Sequence, residues 1–173
     1  MMNLIQDKEN QRKSMIREII SGIVWLAGIA VFVVLMLCVV ENGFVANNLT
    51  YYFDLVGIME VVFIMLFALG FAGRLKDFRN GFIYLFRGAE SSEQLSDSVV
   101  AIALAEKSLL LGGVFCTAFY GIYIMQVGEA FSDLNVLAAN IGVTLLTLLY
   151  GVLGAAILAA VKSRLEKMNK RMR

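Results

Sequence analysis

Four long apolar runs divide the chain, and segments rich in polar and charged residues separate them. Each run is long enough, at ~1.5 Å of rise per residue, to cross a hydrocarbon layer roughly 30 Å thick as an α-helix. The pattern therefore predicts an all-α integral membrane protein with four transmembrane helices. The predicted spans are residues 19–40, 55–73, 108–126 and 136–161.

The longest connection between the runs, residues 74–107, is predicted to begin with a helix of its own. Apolar residues repeat there at helical spacing with charged residues between them, which is typical of a helix lying in a membrane interface. Gly88 is expected to end this helix. The repeating apolar positions are Leu75, Phe78, Phe82 and Leu85.

The second half of the same connection predicts a helix that continues into the third run. Ser91 is followed three residues later by Gln94, which is the spacing of a capping box at a helix start. An apolar stripe leads from there into the third span. We therefore expect one long helix from about Ser92 to Gln126, and the absence of proline from the sequence predicts no proline kink in it.

The distribution of charge predicts the topology. All 15 Lys and Arg residues lie before the first run, between the second and third runs, or after the fourth. The two short loops, 41–54 and 127–135, carry acidic residues and no basic ones. The positive-inside rule then places both termini and the long connection in the cytoplasm, an N-in/C-in arrangement. The expected organisation is a cytoplasmic segment 1–18, a membrane domain 19–161 with the cytoplasmic loop 74–107, and a basic cytoplasmic tail 162–173.

Composition agrees with a membrane protein and argues against an enzyme. The chain is 60% hydrophobic and 17% charged, with a mean hydropathy of +0.77, whereas soluble domains have ~25% charged residues. It has no His, and we find no nucleophile–base pair and no phosphate-binding loop, so we expect no enzyme, cofactor or metal site. Cys38 and Cys116 lie in apolar runs and are interpreted as reduced packing residues. The basic tail is interpreted as a membrane-surface anchor, not as a nucleic-acid site.

Small and polar residues line up on one face of each of the last two predicted helices. On the third, the spacing is i, i+4, i+8; on the fourth it is i, i+4, i+7, i+11, i+14, with a second ridge of small residues beside it. The first face comprises Gly113, Thr117 and Gly121; the second comprises Asn140, Thr144, Thr147, Gly151 and Gly154, and its neighbouring ridge Gly151, Ala155 and Ala159.

Two interpretations of these faces remain open from the residues alone. In one, they are close helix–helix contacts, and the threonine hydroxyls bond back to their own backbone. In the other, both faces line a shared central space in an oligomer, and the hydroxyls contact water, an ion or a partner helix. We expect a pore- or partner-facing role for Thr117, Asn140, Thr144 and Thr147, and a close-packing role for Gly113, Gly121, Gly151, Gly154 and Ala155.

Two acidic residues lie in or next to the second predicted span. Glu60 comes six residues after Asp54, roughly 9 Å along a helix. A charge that faces lipid costs a few kcal/mol, so Glu60 is expected to be neutral, to reach outward to the interface, or to be paired. We interpret it as an interfacial glutamate, with a proton- or ion-handling site and pairing to a partner subunit as alternatives. Asp54 is interpreted as a helix-start residue at the outer surface.

Two stretches carry motifs of a known family. Phe53-Asp-Leu-Val-Gly57, running on through Phe71-Ala-Gly73 to Leu75-Lys-Asp-Phe78, is similar to the second span of MotA-type flagellar stator subunits. Ile141-Gly-Val-Thr-Leu-Leu-Thr-Leu-Leu-Tyr-Gly151, with the basic segment after it, resembles their fourth span, which contains an Ala-Leu-Leu-Thr-Thr-Leu-Tyr-Gly motif. Gly112-Gly113 and Gly121 resemble the third span more loosely. The chain lacks the large cytoplasmic domain that MotA-type proteins carry between spans two and three.

The resemblance implies a short member of the MotA/TolQ/ExbB superfamily. Its members form pentamers around two single-span MotB/ExbD-like partner subunits, and the partner carries a proton-accepting aspartate. We therefore expect a homopentamer in the bacterial cytoplasmic membrane, acting as the channel-forming subunit of an ion-driven motor or energy-transducing complex, with H⁺ in preference to Na⁺. The alternatives are a non-conducting scaffold oligomer and an accessory four-helix subunit of an unrelated transporter.

Overall fold

The computed structural model describes residues 53–89, 91–126 and 133–172 and, before them, residues 24, 28, 31, 39–40 and 43–44. The chain separates into two compact units, Met1–Phe53 and Asp54–Arg173. Most of the predicted first span, like Cys38, lies outside the described residues.

In the first unit, two short strands form an antiparallel pair. β1 is Val39–Val40 and β2 is Gly43–Phe44, with Val39 opposite Phe44. The predicted first span extends to residue 40, so its last two residues differ from the prediction and lie in a strand. Valine is β-branched and favours extended backbone where no helix holds it.

The second unit is built from four helices in the part of it that the structure describes. Their bounds are α1 Leu55–Phe71, α2 Leu75–Arg87, α3 Ser92–Gln126 and α4 Leu134–Met172. The long helix predicted from about Ser92 to Gln126 is present with those bounds. Two of the described helices, α3 and α4, are long and apolar enough to cross a membrane, and α1 with α2 makes a third candidate if the bent pair is one span.

Local signals explain where these helices begin. At the start of α1, the Asp54 carboxylate accepts hydrogen bonds from the backbone N–H groups of Val56 and Gly57, at 3.1 and 3.2 Å. At the start of α3, Ser91 Oγ accepts from Gln94 N–H at 3.3 Å, the first half of the predicted capping box. Asp133 Oδ1 accepts from Asn135 N–H at 2.8 Å before α4. Each cap satisfies a backbone donor that the helix leaves free.

A sharp turn separates α1 from α2. Gly73 adopts a φ of +68°, in the left-handed region that favours glycine, and the axes of the two helices differ in direction by 108°. Arg74 N–H donates to Leu69 O at 2.9 Å, which closes the end of α1 in the manner of a Schellman motif. Gly88 ends α2 with a φ of +75°, at the predicted residue.

The helices α3 and α4 form an antiparallel hairpin, and they touch backbone to backbone at two glycines. An ideal Cβ on Gly151 would lie 2.7 Å from Leu109 O and 2.9 Å from Gly113 Cα. Further along, Lys162 Nζ bonds Glu106 Oε2 at 2.6 Å and Ser92 Oγ donates to Asn169 Oδ1 at 2.6 Å. These contacts keep the two helices in register from the middle of the predicted spans to the end of α4.

The hydrophobic core lies along this hairpin, with α1 and α2 packed against it. Its largest fully buried side chains come from three helices: Val61 and Leu69 on α1, Leu95 and Ile102 on α3, and Leu165 on α4. The helix α2 covers the part of the core near the start of α3 and the end of α4. A Cβ on Gly81 would lie 3.3 Å from Ile102 Cγ1 and 3.4 Å from Leu165 Cδ1.

Gly151→Ala tests the glycine contact. The new methyl group must occupy space that Leu109 O and Gly113 Cα already fill, so α3 and α4 must separate. We expect the free energy of unfolding to fall by roughly 1–3 kcal/mol, the usual range for overpacking. Unfolding of the purified protein in detergent, followed by circular dichroism during titration with SDS, measures the change.

Gly142→Ala is the matched control, because it makes the same change in the same helix where a Cβ meets nothing within 4 Å. Alanine is the better helix former, so we expect the free energy of unfolding to stay the same or to rise by up to ~1 kcal/mol. An equal loss of stability in both variants would contradict the close approach of α3 and α4 at Gly151.

Candidate functional site

A group of threonines lies one turn from the glycine contact, between α3 and α4. Thr117 Oγ1 and Thr147 Oγ1 are 2.9 Å apart, so one hydroxyl donates to the other across the two helices. Thr147 Oγ1 also lies 2.8 Å from Thr144 O, and Thr144 Oγ1 donates to Asn140 O at 2.8 Å. The predicted faces of α3 and α4 therefore meet within a single chain, and the threonines bond back to the backbone.

The burial of these side chains follows their contacts. Thr147 is 1% exposed and Thr144 8%, whereas Thr117 is half-buried and Asn140 is exposed. Bonds from threonine to the carbonyls three and four residues earlier satisfy hydroxyls in an apolar setting. The cluster therefore needs no water or ion to satisfy its own hydrogen bonds.

Beside the threonines, a cleft opens between the start of α1, the end of α3 and the start of α4. Its volume is about 370 Å³. Three of the four predicted pore- or partner-facing residues line it, namely Asn140, Thr144 and Thr147. The fourth, Thr117, is hydrogen-bonded to Thr147. Asp54, Tyr120 and Tyr123 contribute the other polar side chains of the lining.

Two contacts hold the start of α1 at this cleft. Asp54 N–H donates to the hydroxyl of Tyr150 on α4 at 2.7 Å. A Cβ on Gly57 would lie 3.0 Å from Thr147 Cγ2, so the backbone of α1 approaches the threonine cluster closely. Because its carboxylate also caps α1, Asp54 is the helix-start residue that its position in the sequence predicted.

Glu60, six residues after Asp54 on α1, has a hydrogen-bond partner within the same chain. Its Oε1 accepts a hydrogen bond from the hydroxyl of Tyr120 on α3. Its Oε2 is buried and has no hydrogen-bond partner among the described residues. A pocket of about 250 Å³ adjoins it, lined mainly by Phe63, Phe115, Phe119 and Cys116. Glu60 thus presents one free carboxyl oxygen in apolar surroundings.

The predicted close-packing residues divide into two groups. Gly113 and Gly151 touch, Ala155 is buried, and a Cβ on Gly154 would lie 2.9 Å from Leu109 Cδ1. A Cβ on Gly121 would meet nothing within 4 Å in the described structure. Gly121 lies beyond the point where α3 and α4 approach closely, so glycine spacing alone did not mark the end of the contact.

Sequence reasoning missed three residues that build the site, namely Gly57, Tyr120 and Tyr150. Tyr150 belongs to the Tyr-Gly pair of the fourth-span motif, which was a usable signal. Gly57 ends the stretch Phe53–Gly57 that is similar to the second span of MotA-type subunits, but nothing in that stretch predicts its contact with Thr147. Nothing in the sequence around Tyr120 pairs it with Glu60, which is 60 residues away.

The groups around the cleft are suited to hydrogen bonding. They offer an amide, phenolic hydroxyls, threonine hydroxyls and one carboxylate that is already bonded to the start of α1. Such a lining can hydrogen-bond a polar side chain of a partner helix or a hydrated ion. Comparison with known proteins adds no further assignment, because no family model, curated protein or solved structure matches the chain.

A double-mutant cycle tests the contact between Glu60 and Tyr120. Glu60→Met and Tyr120→Phe each remove one partner, and the two together remove both. We expect the double variant to be destabilised less than the sum of the single variants, with a coupling of roughly 1 kcal/mol, typical of a side-chain hydrogen bond in a membrane protein. Unfolding in detergent gives the four free energies of unfolding.

Tyr123→Phe is the control for this cycle. Tyr123 is 59% exposed on the same helix and has no bond to Glu60 in the described structure. We expect its coupling to Glu60→Met to be close to zero. If the two tyrosines couple equally to Glu60, the bond from Tyr120 does not hold α1 to α3.

Proposed function

We propose that the chain is the channel-forming subunit of an ion-motive-force-driven motor or energy-transducing complex of MotA/TolQ/ExbB type. In this proposal it crosses the bacterial cytoplasmic membrane four times with both termini inside and assembles as a homopentamer. The pentamer surrounds a MotB/ExbD-like partner that carries an aspartate, and H⁺ in preference to Na⁺ drives it. The motifs of the second and fourth predicted spans support the family assignment.

The observation that carries the proposal is the convergence of polar groups at one cleft. Asn140, Thr144 and Thr147 lie together beside Asp54 and Tyr120, whereas most other residues of the predicted spans are apolar. Polar side chains at membrane depth are expensive and therefore mark substrate pathways or partner contacts. A single-span partner helix placed at the cleft would bring its aspartate next to amide and hydroxyl groups.

The outer surfaces of the long helices leave room for further subunits. In their most apolar 18-residue windows, only 44% of α3 and 33% of α4 is buried within the protomer. Large apolar side chains such as Leu111, Phe115 and Phe119 remain exposed. Neighbouring subunits or lipid must cover these faces in a membrane, which is compatible with a ring of protomers.

One observation favours a second candidate, a scaffold oligomer that conducts nothing. The hydroxyls of Thr117, Thr144 and Thr147 are all engaged by protein groups. Small residues and threonines are also what close packing of transmembrane helices requires. The accessory-subunit alternative would instead require the cleft to be covered within a hetero-oligomer.

The decisive experiment is a cryo-EM reconstruction of the purified complex in nanodiscs. We expect five subunits around a central cavity lined by Asn140, Thr144 and Thr147. A five-fold ring in which these residues face the centre supports the channel proposal. A monomer or dimer with the cleft closed by its own helices contradicts it and favours the accessory subunit.

Thr147→Val tests conduction separately from assembly. The substitution keeps the shape of a side chain that lines the cleft and removes its hydroxyl, which bonds Thr117 and the Thr144 carbonyl. If the hydroxyl contacts the ion pathway, proton flux into proteoliposomes containing the chain and its partner should fall roughly tenfold, which corresponds to ~1.4 kcal/mol in the barrier. Native mass spectrometry should show an unchanged oligomer.

Ser163→Ala is the control, because it removes an exposed hydroxyl from the same helix outside the predicted span. We expect its flux to equal that of the unaltered protein. Unchanged flux in Thr147→Val removes the hydroxyl from the ion pathway. If the unaltered protein with its partner also conducts no ions, the scaffold proposal replaces the channel.

A further inference from the structure

Helix α2 has a second surface that the proposed channel does not use. One side of α2 packs on α3 and α4 through Gly81, which is buried, and through Phe78 and Leu85. The opposite side is exposed. We call this side the outer face of α2; it consists of Leu75, Lys76, Arg79, Ile83, Phe86 and Arg87.

The outer face combines three apolar side chains with three basic ones and has no acidic residue. Phe86 is 62% exposed and Leu75 46%; Arg87 follows Phe86, and Lys76 and Arg79 lie next to Leu75 on the helix. The one acid of α2, Asp77, is half-buried and bonded to Arg74 at 3.7 Å. In the described structure, none of the three bases of the outer face forms an ion pair.

The direction of α2 suits a helix at a membrane surface. It leaves α1 at 108°, close to a right angle, because Gly73 turns the chain. If α1 crosses the bilayer, α2 runs nearly parallel to the membrane plane. A helix in that plane presents its long side, not its end, to the boundary between headgroups and acyl chains.

The depth of α2 agrees with its direction. Gly81 packs against Ile102 and Leu165, which lie six residues before the third predicted span and four residues after the fourth. At ~1.5 Å per residue, α2 lies about 6–9 Å beyond the hydrocarbon layer, at the depth of the headgroups.

We propose that the outer face of α2 binds anionic phospholipid headgroups of the cytoplasmic leaflet. Lys76, Arg79 and Arg87 supply hydrogen-bond donors and positive charge for phosphate oxygens, while Phe86 and Ile83 enter the upper acyl region. Water alone would leave the large apolar side chains exposed, and a nucleic acid could stack on Phe86 but would leave the aliphatic Leu75 and Ile83 uncovered. This inference rests on the proposed membrane topology and is independent of ion conduction.

A charge-removal variant tests the lipid preference. Lys76→Gln, Arg79→Gln and Arg87→Gln are combined, and phosphatidylglycerol or phosphatidylcholine is titrated onto the detergent-purified protein in native mass spectrometry. We expect the affinity for phosphatidylglycerol to fall at least roughly tenfold and that for phosphatidylcholine to stay unchanged, because only the anionic lipid is attracted by surface charge.

The matched control removes the same charge from the end of α4. Lys170→Gln and Arg171→Gln, combined with Arg173→Gln next to them, should lower the affinity for phosphatidylglycerol less than the α2 variant does, because at ~1.5 Å per residue they lie about 13 Å or more beyond the fourth predicted span, past the headgroup depth of α2. An equal loss in both variants would show that net charge alone attracts the lipid and would overturn the proposal. No loss in the α2 variant would overturn it as well.

Tryptophan quenching gives a second readout that needs only mild substitutions. The sequence has a single tryptophan, Trp25, so Phe86→Trp is introduced in a Trp25→Phe background and reconstituted with brominated lipids. We expect stronger quenching by brominated phosphatidylglycerol than by brominated phosphatidylcholine. Tyr84→Trp, on the half-buried side of α2, should be quenched little by either lipid.

Equal quenching of the Phe86→Trp variant by both lipids would show lipid contact without anionic preference and would overturn the proposal. Absence of quenching by either lipid would place the outer face away from the bilayer and would overturn it too. Ion flux enters neither readout, so failure of the channel proposal leaves both results interpretable.

Discussion

The contact between Gly113 and Gly151 is the constraint on which the rest of the described second unit depends. Two helices approach to backbone contact only where neither carries a side chain, and here the Cβ atom missing from one glycine would overlap the other helix. In a lipid bilayer there is no hydrophobic drive for helix pairing, so close van der Waals packing of this kind would have to supply it. The register of the α3–α4 hairpin follows from this contact.

That register determines which polar groups meet. With Gly113 against Gly151, one turn further brings Thr117 against Thr147, and the start of α1 can then pack on Thr147 through Gly57. The bond from Asp54 N–H to Tyr150 anchors the same end of α1. The cleft is therefore a product of three helices held by small residues and hydrogen bonds.

At the other end of the hairpin, near the start of α3 and the end of α4, ion pairs and apolar packing hold the helices instead of a glycine–glycine contact. There, charged pairs join α3 to α4 and α3 to the start of α2, for example Lys162 with Glu106 and Arg74 with Asp97 at 3.5 Å. Half-exposed ion pairs of this kind are worth little individually. Apolar packing of α2 over Leu165 and Ile102 does more to hold this region, and it leaves the basic outer face of α2 directed away from the core.

Local structure was predictable from the sequence because its causes are local. The pattern predicted a helix from about Ser92 to Gln126 and the end of α2 at Gly88, since a cap three residues from its partner, a glycine and a 3.6-residue period act within a few residues of chain. The same locality explains why Asp54 was recognised as a helix-start residue. The two valines of β1 are the exception, because hydropathy does not distinguish a strand from the end of a helix.

The tertiary structure alone decided which faces meet and what the polar residues contact. Spacing placed Thr117 and Thr147 on helical faces but left open whether those faces line a central pore or pack together. In the structure the two threonine hydroxyls are hydrogen-bonded within a single chain. Glu60 and Tyr120 are 60 residues apart, and Asp54 and Tyr150 are 96 apart. Periodicity determines which side of a helix a residue occupies, whereas its partner depends on how separate helices pack, and that is a property of the whole fold.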